Sequence, residues 1–466
     1  MSRCAIAMLA LFVSFSVPGP VGRVARAETL YEALERAYRD NPRLTAGRAQ
    51  LRAVDEDVSQ ALSGFRPTIT IDGSAVTNST ETKLKHRDSV TTDGPTADTG
   101  LTLRQSLYSG GGTVASVAAA EESVKAQRFA LLSTEQDVFY DVVDAYTSTW
   151  RDRSVLDLAL SNEDRIRRQL QATRDRYRVG DVARTDVAQA EARLARARSD
   201  IEQAKANLAG SVAAYRDVTG IAPDQLEDPK PLENLPESIE AAHELAMQNP
   251  LVQSRQHLVE NSLHTIDVAR SNLLPTVDLL GDVSYTDRPA AGTDWRKNAQ
   301  IGVVVSVPLY QGGRVYSEVR QTKQVLKQRR SELENSQRSI QRQVSTAWEV
   351  LQAARVAIVA IESQVKANRV ALAGVQEEAT VGQRTVLDVL DAEQELFQSQ
   401  TDLVQARAAE VLAAYQLKSA VGQLTVASLD LDVPAYDPKI YYDRQRSKLF
   451  GVDGADLKAA FKHQVE

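Results

Sequence analysis

The chain is one unit written twice. Asn41-Pro42 recurs as Asn249-Pro250, 208 residues on, and Pro67 recurs as Pro275 at the same offset. LYSGGG (Leu107–Gly112) returns as LYQGGR (Leu309–Arg314), 202 residues later. RVGDVARTDVAQAEARL (Arg178–Leu194) returns as TVGQRTVLDVLDAEQEL (Thr380–Leu396), and Val218–Gly220 as Ala420–Gly422, both again at 202. Six residues are therefore missing from the second copy between Pro275 and Tyr310. A period near 200 residues marks a duplicated domain, not a short-repeat solenoid. Whatever one half folds into must sit beside its own copy.

Proline placement narrows the choice. No proline lies between Pro95 and Pro223 or between Pro308 and Pro434, so two tracts of about 125 residues lack the strongest helix breaker. From Thr113 to Arg178 the chain is rich in Ala, Glu, Gln, Arg and Leu, without internal Gly. At 1.5 Å per residue this predicts a helix on the order of 100 Å long. A turn at Gly180 and a partner helix from Thr185 to Val218 follow. The second copy repeats the plan, with Arg314–Thr380, a turn at Gly382, and Thr385–Ala420. Val138, Val142, Ala145 and Thr149 form a narrow seam suited to coiled-coil packing. So narrow a stripe cannot bury such helices alone, and partners from other copies of the chain are required. Ahead of each long helix, Leu30, Ala33, Leu34, Ala37 and Tyr38 recur at helical spacing, and a further helical stretch reaches Gly64.

Between those helices the period changes to 2. Thr68–Val76 and Leu101–Tyr108 alternate with β-branched residues prominent, around a polar segment from Thr77 to Asp98 read as a surface loop. In the second copy Thr276–Tyr285 and Gln300–Tyr310 are the strands, with a loop from Thr286 to Ala299. Strands about ten residues long suit a tilted bilayer crossing and lie equally within the ordinary range of soluble strands. Tyr108 and Tyr310, at the strand ends, suit interfacial aromatics and ordinary packing residues alike.

The N-terminus supplies an address. Arg3, the apolar run Ala5–Val17, Pro18-Gly19-Pro20 and Ala25-Arg26-Ala27 read as a secretory signal cleaved before Glu28. Cys4, the only cysteine, leaves with it, so the processed chain forms no disulfide and has no thiol. Cleavage removes three arginines and no acid, taking the formal charge from -7 to -10, which argues against nucleic acid as a partner. No later run of eighteen consecutive apolar residues exists, so a membrane crossing is expected to use strands closed into a barrel. We divide the chain into a signal peptide (1–27), a first repeat (28–222), a proline-rich linker (223–236), a second repeat (237–429) and a C-terminal tail (430–466) with extended character around Pro434, Tyr436, Pro438, Tyr441 and Tyr442.

Catalytic constellations are lacking. The glycines of YSGGG and YQGG have no Lys-Ser/Thr at phosphate-loop spacing and suit a strand-to-helix swivel. His257 and His264 could share a helix face, but no further ligand stands in register, so no metal, cofactor or enzymatic activity is expected. The informative break in the repeat lies just after the helix turns. Asp186 matches Asp388, but Asp391 matches Gln189, so only the second copy carries two carboxylates at i, i+3. Copies gathered about one axis would focus a field favouring cations. Four strands cannot close a barrel and eight or more can, so the chain must oligomerise if the strands span a membrane.

The sequence resembles the TolC family of outer-membrane efflux and secretion channels over essentially the whole processed chain. The resemblance is carried by LYEALERAYRDNPRL (Leu30–Leu44), by Pro67 and Pro275 ahead of the strands, by VPLYQGG (Val307–Gly313) and by VGQRTVLDVLDAEQEL (Val381–Leu396). It implies a mainly α fold: a twelve-stranded β-barrel in outer-membrane lipid, shared by a homotrimer, continued by an α-helical coiled-coil barrel in the periplasm. It implies a passive exit duct for drugs, toxic small molecules or secreted proteins, coupled through a periplasmic adaptor (membrane fusion) protein to an inner-membrane pump of the RND or ABC type. By the same resemblance Asp388 and Asp391 narrow the periplasmic entrance. Arg384, four residues before Asp388, latches the inner coil to Thr185 and Asp186, although the family's assisting tyrosine falls at Ala379 here. Val179-Gly180 and Val381-Gly382 are the tips where adaptor helices dock. The alternative is a periplasmic coiled-coil adaptor or scaffold, which would more typically carry one helical hairpin than two matched ones.

Overall fold

A computed structural model describes residues 27–83, 85–86, 88–232, 234–290 and 293–451; the signal segment ahead of Ala27 and the chain beyond Gly451 lie outside the described residues. Two helices run the length of a stalk. α3 (Gly112–Arg178) and α7 (Arg314–Thr380) have 67 residues each, about 100 Å at the helical rise. Each reverses and returns as α4 (Arg184–Thr219) or α8 (Val386–Ala420), which cover only about half that length. The remaining half is filled by α2 (Pro42–Ser63), beside α3, and α6 (Pro250–Ser271), between α3 and α7.

The Asn-Pro landmark is the splice between those half-length helices. Asn41 Oδ1 accepts from the Arg43 N–H at 2.9 Å, capping the start of α2, while its Nδ2 donates to Val218 O at 3.0 Å, at the end of α4. Asn249 does the same for α6 and α8, accepting from the Leu251 N–H at 2.9 Å and donating to Ala420 O at 3.0 Å. Pro42 and Pro250 follow at the first helical position, where a missing N–H costs nothing. One amide thus serves the orphan donors of one helix and the orphan carbonyls of another. Asn249→Ala is expected to lower the unfolding free energy by about 2 kcal/mol, one cap plus one stripped carbonyl. Asn249→Ser, which keeps the cap and loses the donor, should fall between; equal unfolding of all three proteins would refute the splice.

Around mid-stalk, α1 (Leu30–Asp40) and α5 (Ile239–Ala246) wrap the long helices. The predicted stripe of α1 is buried, with Leu34, Ala37 and Tyr38 against Phe139, Val142 and Tyr146 of α3 and Tyr415 of α8. Ala242 and Ala246 of α5 close on Val344 and Leu351 of α7. The seam Val138, Val142, Ala145 and Thr149 is buried throughout. Residues 223–232 run extended beside the chain start: the Glu28 N–H donates to Gln225 O at 2.7 Å, and the Tyr146 hydroxyl is shared by Glu28 O and Glu227 O.

β1 (Thr68–Lys83), β2 (Ser89–Ser109), β3 (Thr276–Ala290) and β4 (Thr293–Ser306) form one antiparallel sheet in chain order, so the repeats join through β2 and β3. Two expectations need correction. Both polar segments read as loops, Thr77–Asp98 and Thr286–Ala299, are largely paired strand, giving strands of 14 to 21 residues. Polarity marked where the strands leave an apolar environment, not where pairing stops, and threonine suits a strand in either setting. β4 ends at Ser306, short of Tyr310, because Pro308 has no N–H for the ladder.

Register gives the sheet two faces. Ile69 pairs with Leu103, Ile71 with Leu101, Leu101 with Val283, Leu279 with Val303 and Val277 with Val305. The odd-numbered face is therefore largely apolar, interrupted by Gln105 beside Leu279, and is exposed or half-exposed in the single chain. The even face carries Thr70, Asp72, Arg104, Asp278, Asp282 and Gln300, with Arg104 Nη2 donating to Asp278 at 3.1 Å. A bulge between Ser106 and Tyr108 changes the parity, so Tyr108 stands opposite Val277 on the apolar face. Tyr285 and Trp295 end that face at the other side. From Val277 to Tyr285 the strand rises about 27 Å, and a ~40° tilt leaves about 20 Å of height, close to the ~25 Å apolar band of a membrane barrel.

The glycine runs are the swivel between sheet and stalk. Gly110 and Gly111 have φ of +61° and +81°, and a Cβ on Gly110 would stand 2.7 Å from Ser271 O. The tail departs from its expected extended form: after α9 (Val426–Leu429) it forms α10 (Lys439–Arg446), laid along α2.

Candidate functional site at the stalk tip

The two hairpin turns stand at the far end from the sheet. Gly180 and Gly382 each have φ +81°. The N–H groups of Asp181 and Gln383 close onto Arg176 O and Glu378 O at 3.0 and 2.9 Å, the pattern that ends a helix at a left-handed residue. Val179 and Val381 are 80% and 69% exposed, apolar groups presented at the tips. An ion pair braces each turn with the charges reversed: Arg176 Nε reaches Asp181 at 2.6 Å, and Arg384 Nε reaches Glu378 at 2.7 Å.

Within the chain, then, Arg384 is held by Glu378 of its own hairpin, which raises the guanidinium pKa further. Thr185 is exposed, and Asp186 Oδ2 accepts from the Ala183 N–H at 3.1 Å, capping α4; the structure does not bring either residue to Arg384. Asp388 forms a capping box with Thr385. Its Oδ2 accepts from the Thr385 N–H and hydroxyl, both at 2.9 Å, while its own N–H donates to Thr385 Oγ1 at 3.2 Å. The Thr385 N–H, then its hydroxyl and the Arg384 charge hold the Asp388 carboxyl below the usual range, so it stays ionised at neutral pH.

Asp391, one turn on, has a half-exposed side chain and pairs with Arg193 of α4, crossing from the second repeat to the first. Two residues further, Glu393 is 4% exposed. Its carboxylate accepts from Arg165 Nε on α3 at 2.7 Å and from Gln376 Nε2 on α7 at 3.2 Å, drawing three helices to one group. Ile166, Leu170, Ala190, Leu194, Val386 and Leu390 pack beside it. Sequence reasoning missed Arg165, Arg193, Gln376 and Glu393. A signal was available for one of them: Arg193 matches Glu395 just as Gln189 matches Asp391, and opposite charges at matched positions allow pairing across the repeats.

His257 Nδ1 bonds the Glu122 carboxylate at 2.7 Å and stacks on Phe129. Among the described residues no group of three or more His, Cys, Asp and Glu could hold a metal ion.

The arrangement is a two-faced sheet on a long helical stalk with an acidic, apolar-tipped end. The family described as outer membrane efflux protein matches residues 33–220 and 241–423, one block in each repeat. The chain is 37% identical over 438 residues to the outer membrane efflux protein BepC of Brucella suis, covering 93% of this chain and 94% of that protein. It is 28% identical over 429 residues to the outer membrane protein TolC of Vibrio cholerae, covering 90% and 96%. Among solved structures, the Campylobacter jejuni CmeC outer membrane channel superposes with a TM-score of 0.76 over 90% of each chain at 16% identity, a likeness of fold. With both repeats matched and the β-sheet and stalk of those channels in place, the chain belongs to the outer membrane efflux protein family, whose members are outer-membrane channels of efflux and secretion systems.

Proposed function

We propose that three copies assemble into a passive exit duct, gated at its periplasmic tip. The observation that carries this reading is the sheet: one face largely apolar, the other largely polar, and β1 and β4 each paired on one side only among the described strands. Open edges and an exposed apolar face are satisfied together when twelve strands from three chains close in lipid. The stalk agrees. Part of α7 is apolar enough by composition to cross a bilayer, yet only 22% of that window is buried in the chain. Val356 and Val359 stand 72% and 68% exposed on α7 in the lower half of the stalk, and Val370, nearer the tip, 69%, where a helix of a partner subunit would cover them.

In the trimer Asp388 and Asp391 form a six-carboxylate constriction. Arg384 leaves or shares Glu378 to reach Thr185 and Asp186 of the partner subunit, latching the closed state. Val179-Gly180 and Val381-Gly382 form the docking tips for a periplasmic adaptor, which connects the duct to an inner-membrane pump of the RND or ABC type. The pump sets the cargo, drugs and toxic small molecules or secreted proteins, and the duct itself performs no chemistry.

The test is a reversal-potential measurement in a planar bilayer across a salt gradient. The wild-type protein is expected to favour cations, and Asp388→Asn with Asp391→Asn to lose that preference. An unchanged reversal potential would remove the gate assignment. A protein that stays a monomer in detergent and never conducts would remove the duct.

A further inference from the structure

Resting on that membrane reading, we propose that the C-terminal segment gives each subunit a second, non-barrel contact with the membrane: Leu449 and Phe450 insert among the phospholipids of the periplasm-facing leaflet. The placement comes from a ladder of contacts that climbs toward the sheet. Tyr441 Oη donates to Glu56 at 2.8 Å, Ser59 Oγ donates to Gln445 O at 3.0 Å, and Arg66 Nη1 donates to Lys448 O at 3.0 Å. On α3 the same climb is seen, with Arg128 over the Tyr442 ring at 5.0 Å and Arg446 paired with Glu121 at 2.7 Å. α10 thus runs alongside α2 toward the barrel and delivers residue 448 to Arg66, two residues before β1 begins.

Leu449 and Phe450 come next. They are 69% and 89% exposed, although they follow a segment held on every turn. At this level the chain already shows a lipid boundary: Phe65 and Tyr108 are exposed at the base of the apolar sheet face. Two large apolar side chains at that height meet acyl chains rather than water. Arg444, exposed, precedes them in the sequence, and Arg66 lies beside them. Cations flanking an apolar anchor are placed to meet anionic headgroups. The occupant is therefore phospholipid, and the segment would fix the height at which stalk meets membrane.

Site-directed fluorescence tests this on the processed trimer, which has no cysteine once Cys4 leaves with the signal segment. Phe450→Cys, Leu279→Cys on the barrel's apolar face and Val179→Cys at the tip would each carry an NBD label. The proteins are reconstituted in phosphatidylethanolamine–phosphatidylglycerol vesicles with and without doxyl-labelled lipid. The labels at 450 and 279 are expected to shift to shorter wavelength and lose emission to the quencher; the label at 179 should do neither. If the label at 450 behaves like that at 179 while 279 is quenched, the anchor is refuted and the barrel stands. If 279 is not quenched, the membrane reading itself fails and the anchor falls with it. Replacing phosphatidylglycerol by phosphatidylcholine should weaken quenching at 450 and leave 279 unchanged; equal quenching at 450 in both would overturn the part given to the basic residues.

Discussion

Glu393→Ala is expected to loosen the stalk tip by about 3 kcal/mol and to leave the channel conducting in its resting state. The carboxylate is buried where α3, α7 and α8 meet and serves Arg165 and Gln376 together. Removing one partner of a buried pair leaves the other's charge uncompensated, which costs about 3–5 kcal/mol when both are buried. Arg165 keeps 27% of its side chain in water, which places the expected value at the lower end. The repeat supplies its own control. Glu191 occupies the matching position in the first copy and pairs with Arg174 at 2.6 Å, but both side chains are about half exposed. Glu191→Ala should cost under about 1 kcal/mol. Glu393→Leu with Arg165→Met should recover much of the loss, because two apolar groups of similar size leave no orphaned charge. Resting conductance in planar bilayers and thermal unfolding check the series. Wild-type conductance in Glu393→Ala, or equal destabilisation by Glu191→Ala, would sink the view that this triple junction holds the tip shut.

The contrast between Glu191 and Glu393 also shows what the sequence could and could not disclose. Both are glutamates in one repeated motif, and nothing in their own neighbourhood separates them. Burial comes from α3 of the first repeat lying across α8 of the second, a contact between residues more than 200 positions apart. Helices were legible because their determinants are local: no proline inside, glycine at each reversal, Thr385 and Asp388 as a capping box. α3, α4, α7 and α8 accordingly lie within a residue of their expected bounds. The starts of β1 and β3 were legible for the same reason, since Pro67 and Pro275 fix them. The far ends of both hairpins, where β1 and β3 finish and β2 and β4 begin, were not, because pairing continues past the apolar band and composition reports only the band. The Asn-Pro landmark was visible as a repeat, but its work as a splice depends on the distant ends of α4 and α8. Arg384 was legible as a tip residue, while its partner Glu378 sits six positions back in the same turn and was passed over.

Asp55→Asn is expected to stabilise the protein at neutral pH, by about 3 kcal/mol, and to make no difference in acid. Asp55 sits on α2 beneath the tail, 2% exposed, and neither carboxylate oxygen has a hydrogen bond among the described residues. Arg52 and Glu56 face it from α2, Arg128 from α3 and Tyr442 from α10. Burial, the largest influence, and the Glu56 charge push its pKa from the usual 3.8 to about 6, against the pull of Arg128 and Arg52. Arg128 does not close on it; its guanidinium lies over the Tyr442 ring instead. With the folded pKa raised, the stabilising form is the protonated one. Its contribution is fully present below about pH 4 and is lost as pH rises through about 6, and a two-unit shift corresponds to about 3 kcal/mol. Asparagine keeps the shape and removes the charge, so the variant and wild-type curves should merge below about pH 4 and separate above about pH 6. The tail should report the same change locally, because α10 covers the site. In the wild type, protease should cut ahead of α10 faster at pH 7.5 than at pH 5, and in Asp55→Asn the two rates should agree once the protease's own pH dependence is divided out with an unfolded substrate. A constant gap between the two proteins across the pH range, or a less stable Asp55→Asn, would show that the carboxylate has a partner and carries its charge in the folded protein at no cost.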